Sequence, residues 1–270
     1  EDGIRDLVRS RGLGDVYKRQ VKSIYSSSPE INYDQLITIE KRAGQCLDIN
    51  IWNKDGSTAE ACGNASRCVA KLIFDEMDCE YVELRSKHCV HICKKMINGG
   101  VTVNMGQANT EWKSIPTLLE VNDTLNFNYN FDFKDLEGVK YTSVINVGNP
   151  HIIFWFDNIE NIKPQTIGPL VESHKIFPEK INVSFAEIID KNNIKLVVWE
   201  RGAGITKACG TAACAAAYSA MKLGLSSDNL NISLPGGTLE INIDSEGNIH
   251  KTGPVEFEYS SSIAIEGLYE

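Results

Sequence analysis

Leu47, Ile49 and Ile51 alternate with polar neighbours, a period of two that predicts a half-buried strand. Asp55-Gly56 then marks a loop. From Asn64, a residue suited to capping a helix, the period changes: Ala65, Cys68, Val69, Leu72 and Ile73 fall on one face of a helix reaching about Met77. Tyr33–Glu40 reads as a strand before this stretch. Residues 81–85, 88–97 and 101–105 read as strands after it, the last two joined through Asn98-Gly99-Gly100, residues that tolerate positive φ. Residues 120–138 are polar and rich in Asn and Asp, which predicts a surface excursion rather than core. Strands resume at 142–147 and 152–156, a short helix covers 166–174 with Pro178 beyond it, and strands 183–189 and 194–199 follow. Thr211 to Leu223 is apolar nearly all round, which predicts a centrally buried helix stopped by Gly224. Residues 230–251 repeat a strand–turn–strand theme, with Gly236-Gly237 and Gly247 in the turns.

The plan occurs twice. LDINIWNKDGSTAEACGNASRCVA at 47–70 and IKLVVWERGAGITKACGTAACAAA at 194–217 align on a shift of 147 positions without a gap, Trp52 with Trp199, Cys62 with Cys209 and Gly63 with Gly210. Strand, loop and a cysteine at a helix start recur in each copy. The expected fold is α+β: two pseudo-symmetric domains, each a curved, mostly antiparallel sheet around a central helix. The first domain takes residues 21–109 with 253–270 and carries Cys62; the second takes 110–252 and carries Cys209. Residues 1–20 hold neither period, crowd charges of both signs and are expected to be non-native or disordered.

Composition narrows the function classes. Net charge is −9 with no long Lys/Arg stripe, which argues against nucleic acid or an anionic membrane surface as partner. No apolar run reaches the 18 or so residues of a membrane span, and no secretory signal pattern is visible. The eight cysteines therefore read as thiols of a cytoplasmic protein rather than a disulfide framework. Cys89 and Cys93, near His88 and His91, do not make a metal site, because in a strand His88 faces away from the other three. No metal is expected, and no phosphate loop or dinucleotide fingerprint calls for a cofactor.

Two thiols in register suggest a reaction. Cys62-Gly63-Asn64 and Cys209-Gly210-Thr211 each put sulfur at a helix N-terminus, where unpaired N–H groups and the helix dipole favour thiolate and the same amides can hold a carboxylate. Two such thiols and no cofactor fit stereoinversion at an α-carbon: one removes a proton from one face and the other returns a proton to the opposite face. A redox pair is the rival from another class, and it lacks a CxxC motif.

ACGNASRC at 61–68 and ERGAGITKACGTAACA at 200–215 resemble the two active-site signatures of the diaminopimelate epimerase family. So do VNMG at 103–106, INVGNPH at 145–151, GPLVESHKIFPEKINVSF at 168–185 and LPGG at 234–237, in the family's order from about Tyr33 to Gly253. The resemblance implies conversion of LL-diaminopimelate to the meso isomer, without cofactor, by a cytoplasmic homodimer serving lysine and cell-wall precursor synthesis. It implies Cys62 and Cys209 as the acid–base pair, and Gly63, Asn64, Gly210 and Thr211 as amides for the reacting carboxylate. It assigns Gln35, Asn53, Asn149, Asn182, Glu200 and Arg201 to the rest of the substrate. Glu200 suits an ammonium and Arg201 a carboxylate, and this substrate carries both at each end. Ala65 and Ala212 stand where the family commonly has glycine, and residues 1–32 hold no counterpart of its HGxGND segment, so an inactive homologue is one alternative. A proline or hydroxyproline racemase of the same architecture is the other.

Overall fold

The computed structural model describes residues 6–8, 21, 22, 24, 33, 35–41, 45–58, 63–87, 89–97, 99–258 and 260. Two compact units emerge, one comprising Asn104–Thr252 and one formed by the described residues up to Val103 and from Gly253 onward.

In the first unit β1 (Asp6–Val8), β2 (Gln35–Lys41), β3 (Cys46–Asn53), β4 (Tyr81–Arg85), β5 (Val90–Lys95) and the start of β6 (Val101–Gln107) lie side by side in that order. Asp6–Val8, inside the stretch expected to stand apart from the fold, pairs in parallel with β2, Leu7 opposite Ile37. β2 and β3 are antiparallel, and their alternation is the one the sequence predicts: Leu47, Ile49 and Ile51 are buried and the residues between them are half-exposed. β5 begins at Val90 rather than 88 because Ser86 and Cys89 close a turn, the Ser86 N–H donating to the Cys89 carbonyl at 2.9 Å. Helix α1 (Gly63–Glu76) packs on β4 and β5 with Ala65, Val69, Ala70 and Ile73 buried.

The second unit repeats the scheme. Its strands are β7 (Tyr141–Asn146), β8 (Pro150–Phe156), β9 (Asn182–Ile188), β10 (Asn193–Glu200), β11 (Gly204–Thr206), β12 (Asn229–Leu234), β13 (Gly237–Ile243) and β14 (Asn248–Gly253), the last ending one residue beyond the unit. Neighbours run β14-β13-β12-β10-β9-β8-β7, with β11 beside β10. Leu36↔Trp52 through Lys41↔Leu47 in the first unit becomes Val183↔Trp199 through Ile188↔Ile194 in the second, the shift of 147 preserved at every pair. The parallel contacts recur too, β3 with β4 as β10 with β12, and β1 with β2 as β8 with β9.

Apolar packing covers both faces of the second sheet, which is why every residue of β8, PHIIFWF, is buried. On one face lies α3 (Gly210–Lys222), the helix expected to be buried all round, with Ile153, Trp155, Leu196, Val198 and Ile232 against its alanines. It ends as predicted at Gly224: the Leu225 N–H reaches the Ala220 carbonyl and the Gly224 N–H that of Met221, a Schellman closure with Gly224 at φ +69°. On the other face lies α2 (Pro164–Glu172), two residues earlier than the sequence period suggests because Pro164 starts it.

The stretch 120–138 corrects an expectation. It is not a surface excursion alone, since Phe127 and Phe131 are 4% and 6% exposed and pack with Phe154 and Phe177 in the α2-side core. Its polar residues serve the turns, Asp123 accepting from the Leu125 N–H and Asn130 from the Asp132 N–H, while the rings between them point inward. Backbone bonds tie its start to β7, Val144 N–H to the Thr124 carbonyl and Phe127 N–H to the Thr142 carbonyl, both at 2.7 Å.

Candidate active site

Three element ends meet at the strand ends in the middle of the second sheet: β9 begins at Asn182, β10 ends at Glu200, and α3 begins at Gly210 with Cys209 as its N-cap. His151 on β8 pairs with Asn182 on β9, and Val183 with Trp199, so Asn182 stands beside Glu200. By strand alternation His151, Asn182 and Glu200 share the α3 face with Ile153 and Val198. The Asn182 carboxamide donates to the Pro150 carbonyl at 2.8 Å and accepts from the Arg201 N–H at 2.9 Å, fixing the strand ends against each other. Glu200 Oε1 accepts from the Thr206 hydroxyl at 2.6 Å. Arg201 Nη1 donates to the Glu179 carbonyl at 3.2 Å. Asn149 Oδ1 and His151 Nε2 lie 2.9 Å apart.

Cys209 is 4% exposed, with its sulfur 3.5 Å from the Thr211 hydroxyl. The expectation that a helix start favours its thiolate is overturned. Burial, and then the Glu200 carboxylate, push the Cys209 thiol well up, against smaller downward effects of the Thr211 hydroxyl and the Ala212 N–H. The magnitudes explain why: a helix terminus is worth about 0.3–1 kcal/mol to a charge, while full burial moves a thiol by up to ~3–5 pK units, each about 1.4 kcal/mol. Cys209 therefore rests protonated. His151 is fully buried, and burial together with the Arg201 charge lowers its pKa to about 3, so it is a neutral imidazole.

In the first unit Gln35 and Asn53 are a cross-strand pair, the Gln35 amide donating to Asn53 Oδ1 at 3.4 Å and Asn53 Nδ2 donating to the Ser57 hydroxyl at 3.0 Å. Gly63 opens α1 and is buried, and Asn64 follows it, half-buried. Cys62 lies outside the described residues. The register shift of 147 sets Gln35 in the place of Asn182, Asn53 in that of Glu200, and Asn64 in that of Thr211. The expected ligands thus form one group around β2, β3 and α1 and a matching group around β9, β10 and α3. Ala65 and Ala212, in place of the family's glycines, are each 0% exposed, so the methyl groups fit the helix packing.

Sequence reasoning missed three supports. Thr206 orients Glu200, and Glu172 takes the Trp199 indole N–H at 2.7 Å and the Gly202 N–H at 3.0 Å. Gly236 lies tight against the loop, since a Cβ there would stand 3.0 Å from the Lys207 carbonyl, and its own N–H donates to that oxygen at 2.7 Å. This gives the LPGG turn its purpose: it props the loop that carries Cys209. A separate cavity of about 630 Å3 opens along residues 126–142, and none of the candidate ligands lines it. Among the described residues no group of three or more His, Cys, Asp or Glu could hold a metal ion, and no helix is long and apolar enough to cross a membrane.

Comparison with known proteins matches this geometry to a family. The diaminopimelate epimerase family model matches residues 8–111 and 143–258, so the likeness starts ahead of Tyr33, where the legible motifs begin. The chain is 38% identical over 244 residues to the diaminopimelate epimerase of Afipia carboxidovorans, covering 89% of this chain and 82% of that one. Among solved structures it resembles a predicted epimerase from Pseudomonas aeruginosa, with a TM-score of 0.67 at 13% identity over 97% of this chain and 93% of that one. It also resembles a probable proline racemase from Agrobacterium radiobacter, with a TM-score of 0.60 at 13% identity over 86% and 76% of the two chains. At such identity the two structures speak for the fold alone. The internal repeat, the buried cysteine at the start of α3 and the family match over most of the chain agree: this protein belongs to the diaminopimelate epimerase family of isomerases.

Proposed function

We propose that this chain interconverts LL-2,6-diaminopimelate and meso-2,6-diaminopimelate without a cofactor, with Cys62 and Cys209 as the two proton carriers. The observation that carries the reading is the repeat: Cys209 caps α3 beside Glu200, β2–β3 and β9–β10 share one register, and in the sequence Cys62 stands directly before Gly63, the first residue of α1. One thiolate takes the α-proton, and the C–H electron pair passes into the α-carboxylate. The opposite thiol then delivers its proton to the other face of the carbon, so one C–H bond breaks and one forms. The N–H groups of the first turns of α1 and α3, at Gly63, Asn64, Gly210 and Thr211, point toward the helix N-termini and suit the charge that develops on the carboxylate. Gln35, Asn53, Asn149, Asn182, Glu200 and Arg201 bind the ammonium and carboxylate groups that remain.

The family resemblance gives Cys62 the role of donor and Cys209 that of acceptor, the two exchanging with reaction direction. Burial keeps the Cys209 thiol protonated at rest, so to accept it must first lose that proton, and a substrate ammonium beside Glu200 supplies the charge that favours this. The reading extends to a cytoplasmic homodimer. The seven described cysteines, all thiols, support the compartment, and the dimer is what the family resemblance implies.

Incubation of the reduced protein with LL-diaminopimelate in deuterated water tests the reading. The expected result is the meso isomer carrying deuterium at the inverted carbon. Racemisation of proline or hydroxyproline instead would move the chain to the racemase reading, and no turnover of any of the three would mark an inactive homologue.

A further inference from the structure

Glu172 ends α2 and is 6% exposed, yet nothing in the proton transfer uses it. Its carboxylate gathers donors from three residues on two separate segments. Oε2 accepts from the Trp199 indole N–H at 2.7 Å, and Oε1 accepts from the Gly202 backbone N–H at 3.0 Å and from Lys180 Nζ at 3.3 Å. The preceding amide, that of Arg201, is held by the Asn182 side chain at 2.9 Å. Two consecutive amides of the turn after β10 are thus gripped from behind by side chains of two different elements. Gly202 sits at φ +77°, so the turn reverses direction directly after the two residues read as substrate ligands.

A carboxylate is an expensive way to glue a helix to a sheet, since apolar residues of similar volume pack as well without the desolvation cost. What it supplies is a pair of acceptor oxygens at fixed spacing, able to hold the indole of Trp199 and the amide of Gly202 in one geometry. We propose that Glu172 is a positioning residue: it fixes the Glu200–Gly202 turn so that the Glu200 carboxylate and the Arg201 guanidinium are presented together to the ammonium and carboxylate of an amino-acid substrate. The inference rests on the reading of Glu200 and Arg201 as substrate ligands given above. Glu172 acts through them and touches no substrate itself.

The test is Glu172→Gln, which keeps the shape but leaves one acceptor oxygen for three donors. Steady-state kinetics on LL-diaminopimelate should show KM raised about tenfold with kcat within about threefold, the pattern of lost binding rather than lost chemistry. A role confined to holding the fold would lower the melting temperature and the active fraction while leaving KM where it was. A fall in kcat at unchanged KM, or no change in either constant, overturns the proposal. Amide hydrogen exchange gives a readout independent of activity. The Gly202 amide should be protected in the wild-type protein and exchange at least about tenfold faster in the variant, while the amides of α3 keep their protection. If the variant does not fold, the wild-type measurement still decides, because a Gly202 amide exchanging at the rate of an open loop contradicts the clamp. Failure of wild-type turnover reports on the proposed function, and unprotected Gly202 reports on Glu172, so the two failures are told apart.

Discussion

The two halves share the register of β2 on β3 and of β9 on β10 residue for residue, and differ in what lies behind the tryptophan. In the first, Trp52 is 6% exposed and packs with Val21, Ile24, Tyr33 and Leu36, its indole nitrogen 3.4 Å from the Thr38 hydroxyl. In the second, Trp199 packs with the cluster that holds Ile167 and Val171 of α2, and a Cβ on Gly168 would come within 2.4 Å of its ring. Trp199 therefore lies directly against α2, near enough for its indole to donate to Glu172 at 2.7 Å. A repeated backbone does not require repeated packing: one indole faces the Thr38 hydroxyl, and the other donates to a buried carboxylate.

If the halves are equivalent in chemistry, neither cysteine can replace the other. Cys62→Ala and Cys209→Ala should each abolish inversion in a chiral chromatographic assay while circular dichroism stays that of the parent. Retention of more than about a tenth of the rate in either variant, a loss of under ~1.4 kcal/mol, is too little for a required proton carrier and would break the equivalence.

If they differ in packing, filling the close contact between α2 and Trp199 should be costly. Gly168→Val forces methyl groups into the Trp199 ring, and overpacking of this kind destabilises by about 1–3 kcal/mol. Urea unfolding would measure it. A neutral result would mean that α2 can retreat from the Trp199 ring.

The smallest effect separates two buried histidines. His91 in the first half is 4% exposed, with Nδ1 2.7 Å from the Ser66 hydroxyl, whereas no partner reaches Nδ1 of His151 in the second. In the unfolded chain an imidazole titrates near 6.5, and in the folded unit burial and Arg201 hold His151 at about 3. Between these values the unfolded chain binds the extra proton. The stabilisation associated with His151 is thus fully present above about 6.5 and is lost as pH falls, by about 1.4 kcal/mol per unit. His151→Gln should flatten that slope when unfolding free energies at pH 7 and pH 5 are compared. Equal slopes in variant and parent would show that the folded imidazole does take up the proton.

Much of this architecture was legible because it is periodic. The alternation at Leu47, Ile49 and Ile51, the small apolar run of α3 and the repeated Trp-to-Cys spacing each mark local structure that tertiary packing reinforces. The stretch from Asn126 to Phe133 misled because its asparagines and aspartates dominate the composition, while the period-two run of Phe127, Tyr129, Phe131 and Phe133 decides its burial. Glu172, Thr206 and Gly168 were illegible for a different reason. Each matters through a partner 27, 6 or 31 residues away in sequence, and no spacing rule announces such a pair. The protonated state of Cys209 was misjudged because sequence shows the helix start but not the depth at which the sulfur is buried.

The hydrogen bonds from 109–127 to β7 bear on how the folded protein behaves in a crowd. β7 is the last strand in its row, and a strand so placed normally offers its free amides and carbonyls to any other chain that can extend beside it. Here Thr124, Phe127 and Asn109 engage those groups within the same molecule, with both Asn109 and Asn146 donating to each other's carbonyl. The segment that looks like an ornament on the surface thus works as a seal. Excising it would expose a sticky strand of high β-propensity, and the first symptom would be aggregation during folding rather than a slower enzyme.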